Sequence, residues 1–186
     1  MLERVSVLCV GGAMAYTFLR ALGVDTGRSR VEVDKLGVAA AILKRADARG
    51  VKVLLPSDHV VADSLADQAQ VQVATGRSIA DPFMGLDIGP QTRQDFSRHV
   101  REAKTLLWNG PMGVFEKPAY AAVTAAVVEA AAACQGYVVV GGGHSTAVLE
   151  QMGFSHPTAH VSTGGGATLE LIEHGSLPGI EALRGQ

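Results

Sequence analysis

Three times in this chain an apolar, strand-like run breaks into glycines and then into a helical pattern. Val5-Ser6-Val7-Leu8-Cys9-Val10 leads into Gly11-Gly12, Tyr137-Val138-Val139-Val140 into Gly141-Gly142-Gly143, and His160-Val161-Ser162 into Thr163-Gly164-Gly165-Gly166. Near-continuous apolar runs of this length fit strands buried on both faces of a parallel sheet. After the first of them, Met14, Phe18, Leu19 and Leu22 recur at helical spacing and Gly23 ends the segment. Strands alternating with helices predict an α/β fold, a mostly parallel, Rossmann-like three-layer sheet with helices on both faces. In such a sheet the strand-to-helix junctions share the carboxyl edge, where ligands bind.

The remaining segments fill in that plan. A helix is expected over about 32–48, closed by Gly50, then a strand over 51–55 that Pro56 ends. Residues 60–82 read as loop and edge, with Val71-Gln72-Val73 a short edge strand and Thr75-Gly76 and Asp81-Pro82 as turns. The Gly-interrupted run Phe83-Met84-Gly85-Leu86-Asp87-Ile88-Gly89-Pro90 reads as a packed loop before a helix capped near Thr92 and running to about 103. A further strand, Thr105-Leu106-Leu107, feeds Trp108-Asn109-Gly110-Pro111-Met112-Gly113-Val114-Phe115-Glu116, a rigid turn poor in side chains that puts an amide, bare backbone and a carboxylate on show. Lys117-Pro118 then starts an alanine-rich helix to about 133, and the last two glycine turns open helices to 153 and over 167–173.

A chain of 186 residues that is 47% hydrophobic buries roughly 70% of its unfolded surface as one domain, or at most two small ones. With 16 basic against 18 acidic residues the net charge is −2, and no basic stripe marks a nucleic-acid binder. A phosphate ligand must therefore be held locally. Cys9 and Cys134 are unpatterned, which points to buried thiols in a reducing compartment and against zinc. Residues 5–10 followed by Ala13-Met14-Ala15 have the outline of a signal sequence, but the run is short and Glu3 cancels Arg4. No run approaches the ~20 apolar residues of a membrane span, so no membrane partner and a cytoplasmic address are expected.

Glycine lets a polyanion approach the backbone, and each helix start offers unpaired N–H groups with partial positive charge. Glycine also serves tight turns and close packing, so one such turn says little, whereas three point to a phosphorylated ligand. The P-loop pattern and the dinucleotide fingerprint are both missing. In order along the chain, GGAMAYTFLRALG, LPSDHVVAD, MGLDIGP, AKTLLWNGPMGVFE, VVVGGGHS and HVSTGGGATLELIEHGSLPGIEAL closely resemble the carboxy-terminal, nucleotide-binding half of phosphoglycerate kinases. The resemblance covers nearly the whole chain.

That resemblance implies phosphoryl transfer between ATP and 3-phosphoglycerate, with ATP or ADP held together with Mg²⁺. It implies that Gly11, Gly12, Gly85 and Leu86 line an adenine slot with Pro111, Gly113 and Val114, that Glu116 takes the ribose hydroxyls, and that Asn109 contacts phosphate. The turns at Gly142, Gly143, His144 and Ser145 and at Gly165 and Gly166 would face the nucleotide phosphates, with the amides around Gly143, Gly165 and Gly166 serving the transferring group. Blander roles stand beside these. Leu86 and Val114 also read as core, Glu116 as a helix-start carboxylate, Trp108 as packing, and Asp58 and Asp63 as loop braces outside the site. His59, His99, His156, His160 and His174 read as solvated or locally hydrogen-bonded.

Two departures from the family pattern bear on catalysis. Where the family carries an Asp for the nucleotide-bound metal this chain has His144, and a neutral imidazole is a poor ligand for Mg²⁺. The acceptor-binding half of the family, and the strand that begins its nucleotide domain, have no counterpart in the sequence. An amino-terminal half or self-association at an unpaired sheet edge is the expected partner. Turnover by the chain alone is not expected, and a non-catalytic nucleotide-binding or docking module is the other reading.

Overall fold

The computed structural model describes residues 1–66, 68–110, 112–114 and 122–184, and for residues 122, 123, 144 and 147 the backbone alone. They fall into two compact units. The first is drawn from Leu2–His99 and Pro111–Val127, the second from Met1, Val100–Gly110 and Val128–Gln186.

In the first unit, β1 (Val7–Cys9) leads through Gly11 into α1 (Gly12–Ala21), and α2 (Leu36–Ala48) leads into β2 (Lys52–Leu54). β1 and β2 pair in parallel from Val7↔Lys52 to Cys9↔Leu54, and the Val10 N–H extends the ladder to the Leu54 carbonyl at 3.0 Å. The apolar stripe of α1 explains the packing: Ala15 and Phe18 join Val10 and Ala39 in one buried cluster, flanked by Ile42 and Leu43 of α2. The helix expected from about 32 starts at Leu36, after a 3₁₀ turn over Val33–Lys35. Glu32, at φ −87° and ψ 90°, is not helical, and its N–H donates to Thr17 Oγ1 at 3.1 Å.

Residues expected to be loop form a second sheet in this unit. β3 (Asp58–Ala62) is its central strand, with β4 (Val71–Thr75) and β5 (Met84–Ile88) antiparallel on either side. The edge strand at 71–73 is where it was expected, but 83–90 is not a loop. Gly85 disguises the strand: a Cβ there would overlap the Tyr16 ring, and the register with β3 shifts between Val60 and Val61. Glycine in a strand often marks such a bulge or close approach. α3 (Pro90–Glu102) follows directly.

His59 sits in β3, fully buried. Its ring lies 5.6 Å from that of Tyr16, Nε2 pairs with the Arg77 carbonyl at 3.0 Å, and Nδ1 has no hydrogen-bond partner among the described residues. Burial lowers its pKa from the ordinary 6.5, against smaller upward pulls from the Arg77 carbonyl and from Asp58. The folded chain therefore holds His59 neutral where the unfolded chain binds a proton, and stability falls as pH drops below about 6.5. Urea midpoints taken at pH 7.5 and 5.5 should separate for the parent chain and converge for His59→Phe. Equal separations in both chains would assign the slope to other groups.

The second unit holds β6 (Thr105–Asn109), β7 (Tyr137–Gly141), α5 (Gly143–Gln151), β8 (Ala159–Ser162), α6 (Gly165–His174) and α7 (Pro178–Arg184), while α4 (Ala122–Ala132) ends in it. Strands β6, β7 and β8 form a parallel sheet in that order. Val138 and Val140 are fully buried, and Ala130 and Ala131 pack with Val100, Leu106 and Phe154. The chain is thus α/β and Rossmann-like, as expected, with one antiparallel sheet that the sequence reading did not contain.

Candidate functional site

Parallel register in the second unit sets Asn109, Gly141 and Ser162 side by side where their strands end. Two helices start from this edge. Gly142, at φ +100°, precedes α5, and Gly164 precedes α6, and neither helix start receives a side-chain cap. Uncapped first turns leave N–H groups unpaired at the positive end of the helix dipole, although in α6 the Gly165 N–H is already taken by the Thr163 carbonyl at 3.2 Å. That arrangement receives phosphate-type anions.

The glycines along this edge divide by what a side chain would meet. A Cβ on Gly165 would lie 2.7 Å from Gly142 Cα and 3.2 Å from Asn109 Oδ1, and one on Gly141 would lie 3.1 Å from the same oxygen. These glycines let the two turns and the Asn109 amide pack together. Among the described residues, chain neighbours and the helix's own backbone apart, a Cβ on Gly143 or Gly166 would meet nothing within 4 Å. Bare backbone is open to an approaching ligand at those two positions.

Ser145 is fully buried, and its Oγ accepts the Gly110 N–H at 3.0 Å. Trp108 is buried too, so packing describes its ring, yet its Nε1–H donates to the Gly110 carbonyl at 2.7 Å. Beside the third turn, Ser162 Oγ accepts the Gly164 N–H at 3.2 Å and the Thr168 hydroxyl at 3.1 Å. Thr168 carried no signal in the sequence beyond its place in the first turn of a helix. The backbone of His144 lies in the first turn of α5, and its side chain lies outside the described residues.

Of the residues assigned to the adenine slot, Gly11, Gly85, Leu86, Gly113 and Val114 lie in or against β5 in the first unit. A Cβ on Gly11 would meet Met112 Sδ at 2.5 Å, with Ile88 Cγ2 at 3.7 Å, and one on Gly113 would overlap the Asp87 carboxylate. The Leu86 carbonyl accepts the Val114 N–H at 3.1 Å, and both side chains pack with Ala62 and Met84. Gly12 opens α1. The glycines at 11, 85 and 113 thus serve internal packing, and Leu86 is core as well as slot candidate. Pro111 and Glu116 lie outside the described residues.

Sequence reasoning passed over two buried groups here, Tyr16 and Asp87. Tyr16 presses on Gly85; burial, helped by the Asp87 charge, pushes its hydroxyl well above the ordinary tyrosine value. Asp87 Oδ1 accepts the Ile88 N–H at 2.9 Å. The isolated Asp in MGLDIGP, flanked by apolar residues, was the available signal.

Asp58 binds the start of α3, and Asp63 Oδ1 accepts the Gln70 N–H at 3.0 Å, so both act as braces. His99 Nδ1 pairs with the Asp95 carbonyl at 2.8 Å and His156 Nε2 with the Cys134 carbonyl at 2.7 Å. Among the described residues no group of three or more His, Cys, Asp or Glu could hold a metal ion, and no helix is long and apolar enough to cross a membrane.

A parallel sheet whose carboxyl edge carries glycine turns and helix starts defines a Rossmann-like α/β protein. The family model for phosphoglycerate kinase matches residues 1–175, and the chain belongs to that family. It is 50% identical to a phosphoglycerate kinase of Thermus thermophilus over 100% of the chain and 48% of the relative. With that of Clostridium tetani it shares 45% identity over 98% of the chain and 46% of the relative. Among solved structures, phosphoglycerate kinase from Coxiella burnetii superposes with a TM-score of 0.90 at 37% identity, over 97% of this chain and 47% of that one. The Pyrococcus horikoshii enzyme gives 0.82 at 30% identity, over 98% and 46%. The chain spans about half the length of the relatives it matches.

Proposed function

We propose that the chain is the carboxy-terminal, nucleotide-binding half of a phosphoglycerate kinase-type phosphotransferase, acting in glycolysis in the cytoplasm. In this reading, spanning residues 1–186, ATP or ADP is the ligand and phosphoryl transfer to or from 3-phosphoglycerate is the reaction, completed by an amino-terminal half that binds the acceptor. The observation that carries it is the pair of uncapped helix starts with open glycines, Gly143 and Gly166, beside the Asn109 amide.

Phosphate oxygens would take the first-turn N–H groups of α5 and α6, with Asn109 donating its amide hydrogens to the same anion. The family pattern assigns Gly85, Leu86, Pro111, Gly113 and Val114 to the base and Glu116 to the ribose. Mg²⁺ would arrive on the nucleotide and supply charge neutralisation; with His144 at the family's aspartate position no protein ligand is assigned to it. These groups position and stabilise charge, which is most of what phosphoryl transfer asks of a protein.

Calorimetric titration with ADP, with and without Mg²⁺, tests the reading. Asn109→Ala should weaken binding by about 10- to 100-fold, the range for hydrogen bonds to charged groups. A folded chain that binds no ADP would sink the proposal. Binding without turnover, after an amino-terminal half from a relative is supplied, would reduce the chain to a non-catalytic nucleotide module.

A further inference from the structure

Gly110 is the last residue of the second unit before the chain crosses to the first, and it stands at φ +88°. Its peptide groups belong to neither the β6 ladder nor a helix. Two side chains hold it. Ser145 Oγ, from the first turn of α5, accepts its N–H at 3.0 Å, and Trp108 Nε1, from β6, donates to its carbonyl at 2.7 Å. Both side chains are buried while Gly110 itself is half-buried, so each bond is formed at the edge of the interior, and a backbone donor that loses its partner there is left poorly satisfied.

The residue before this clamped peptide is Asn109, whose Oδ1 stands 3.1 to 3.5 Å from where Cβ atoms of Gly141, Gly142 and Gly165 would be. The position of that amide is set by the backbone on either side of it: by the β6–β7 ladder, which pairs Asn109 with Gly141, and by Gly110. A left-handed glycine has no Cβ to restrict it, so the orientation of the turn must come from its partners.

We infer that Ser145 and Trp108 are positioning residues that clamp Gly110 and thereby aim the Asn109 amide at the bound phosphate, Ser145 acting through the turn and not by touching the nucleotide. This rests on the proposed nucleotide reading and narrows the part Ser145 plays in it. It also gives the Trp108 indole N–H a task that ring packing alone leaves open.

The test is a set of ADP titrations on the full chain with Ser145→Ala, Ser145→Thr, Trp108→Phe and the double change Ser145→Ala with Asn109→Ala. Hydrogen exchange of the Gly110 amide and urea unfolding are followed on the same proteins. Ser145→Ala is expected to weaken ADP binding about tenfold and speed Gly110 exchange. Ser145→Thr, which keeps an acceptor oxygen, should restore both, and Trp108→Phe should weaken binding with its ring packing retained. Because the serine works through Asn109, the double change should cost little beyond Asn109→Ala alone. Unchanged affinity in Ser145→Ala overturns the inference. So do fully additive losses, which would mean that the hydroxyl meets the ligand itself. Should Ser145→Thr fail to fold, Trp108→Phe with the double change decides. A parent chain that binds no ADP removes the nucleotide reading and the positioning role together, whereas binding by the parent with an indifferent Ser145→Ala removes only the positioning role.

Discussion

Gly143→Ala and Gly166→Ala will each weaken ADP binding by about tenfold, the worth of one charge-assisted hydrogen bond, with no loss of stability. Both parts follow from the space around these residues. Neither has a positive φ, and among the described residues, chain neighbours and the helix's own backbone apart, a methyl at either position meets no atom within 4 Å. Each lies in the first turn of a helix, where alanine in place of glycine stabilises by about 0.4–1 kcal/mol through the unfolded chain. A protein using these glycines only to fold would thus be indifferent or improved. A phosphate approaching the bare N–H groups would meet the added methyl, and affinity would drop. Gly165→Ala is the contrasting change: its methyl presses on Gly142 backbone, so stability should fall by about 1–3 kcal/mol and affinity with it. Calorimetry and urea melts on the three variants separate the two kinds of glycine. Unchanged ADP affinity in both Gly143→Ala and Gly166→Ala would show that nothing approaches those turns.

The difference between neighbours such as Gly165 and Gly166 marks where sequence reading stops. Residue type and order revealed three strand–glycine–helix junctions, and these are β1–α1, β7–α5 and β8–α6 in the structure. Apolar periodicity is a local property and survives folding. What each glycine is for depends on what lies across from it, and that is a long-range fact: Tyr16 for Gly85, Asp87 for Gly113, Gly142 for Gly165. β5 was hidden for the same reason, since Gly85 breaks its alternation to admit Tyr16. Ser145 was assigned to the nucleotide from its place in a motif, but its sequence separation of 35 from Gly110 kept the clamp out of view.

Asp58→Ala will lower unfolding free energy by about 3–5 kcal/mol, a large share of the roughly 5–15 kcal/mol that holds an ordinary domain together. Asp58 opens β3, yet its carboxylate caps a helix more than thirty residues away. Oδ2 accepts the Gln91 N–H at 2.9 Å, and Oδ1 accepts the Thr92 N–H at 2.8 Å and the Thr92 hydroxyl at 2.6 Å. Thr92 Oγ1 in turn accepts the Ser57 N–H at 2.9 Å, and the Asp58 carbonyl accepts the Gly89 N–H at 2.8 Å. The carboxylate fills the space a Gly89 side chain would need, and Pro90 begins the helix without wasting a donor. A cap alone is worth up to about 2 kcal/mol, and charged hydrogen bonds about 1.5–3 each, sub-additively. Asp58 is 7% exposed and Thr92 is buried, so alanine would leave the Gln91 and Thr92 N–H groups without their carboxylate partner, the Thr92 N–H with little access to water. Asp58→Asn retains one carbonyl acceptor and should lose roughly half as much, while Thr92→Val should cost about 1–2 kcal/mol and add little to Asp58→Ala. Urea unfolding monitored by circular dichroism measures all four chains. A midpoint for Asp58→Ala equal to that of the parent would mean that α3 is seated by its apolar face and that the interlocked cap is incidental.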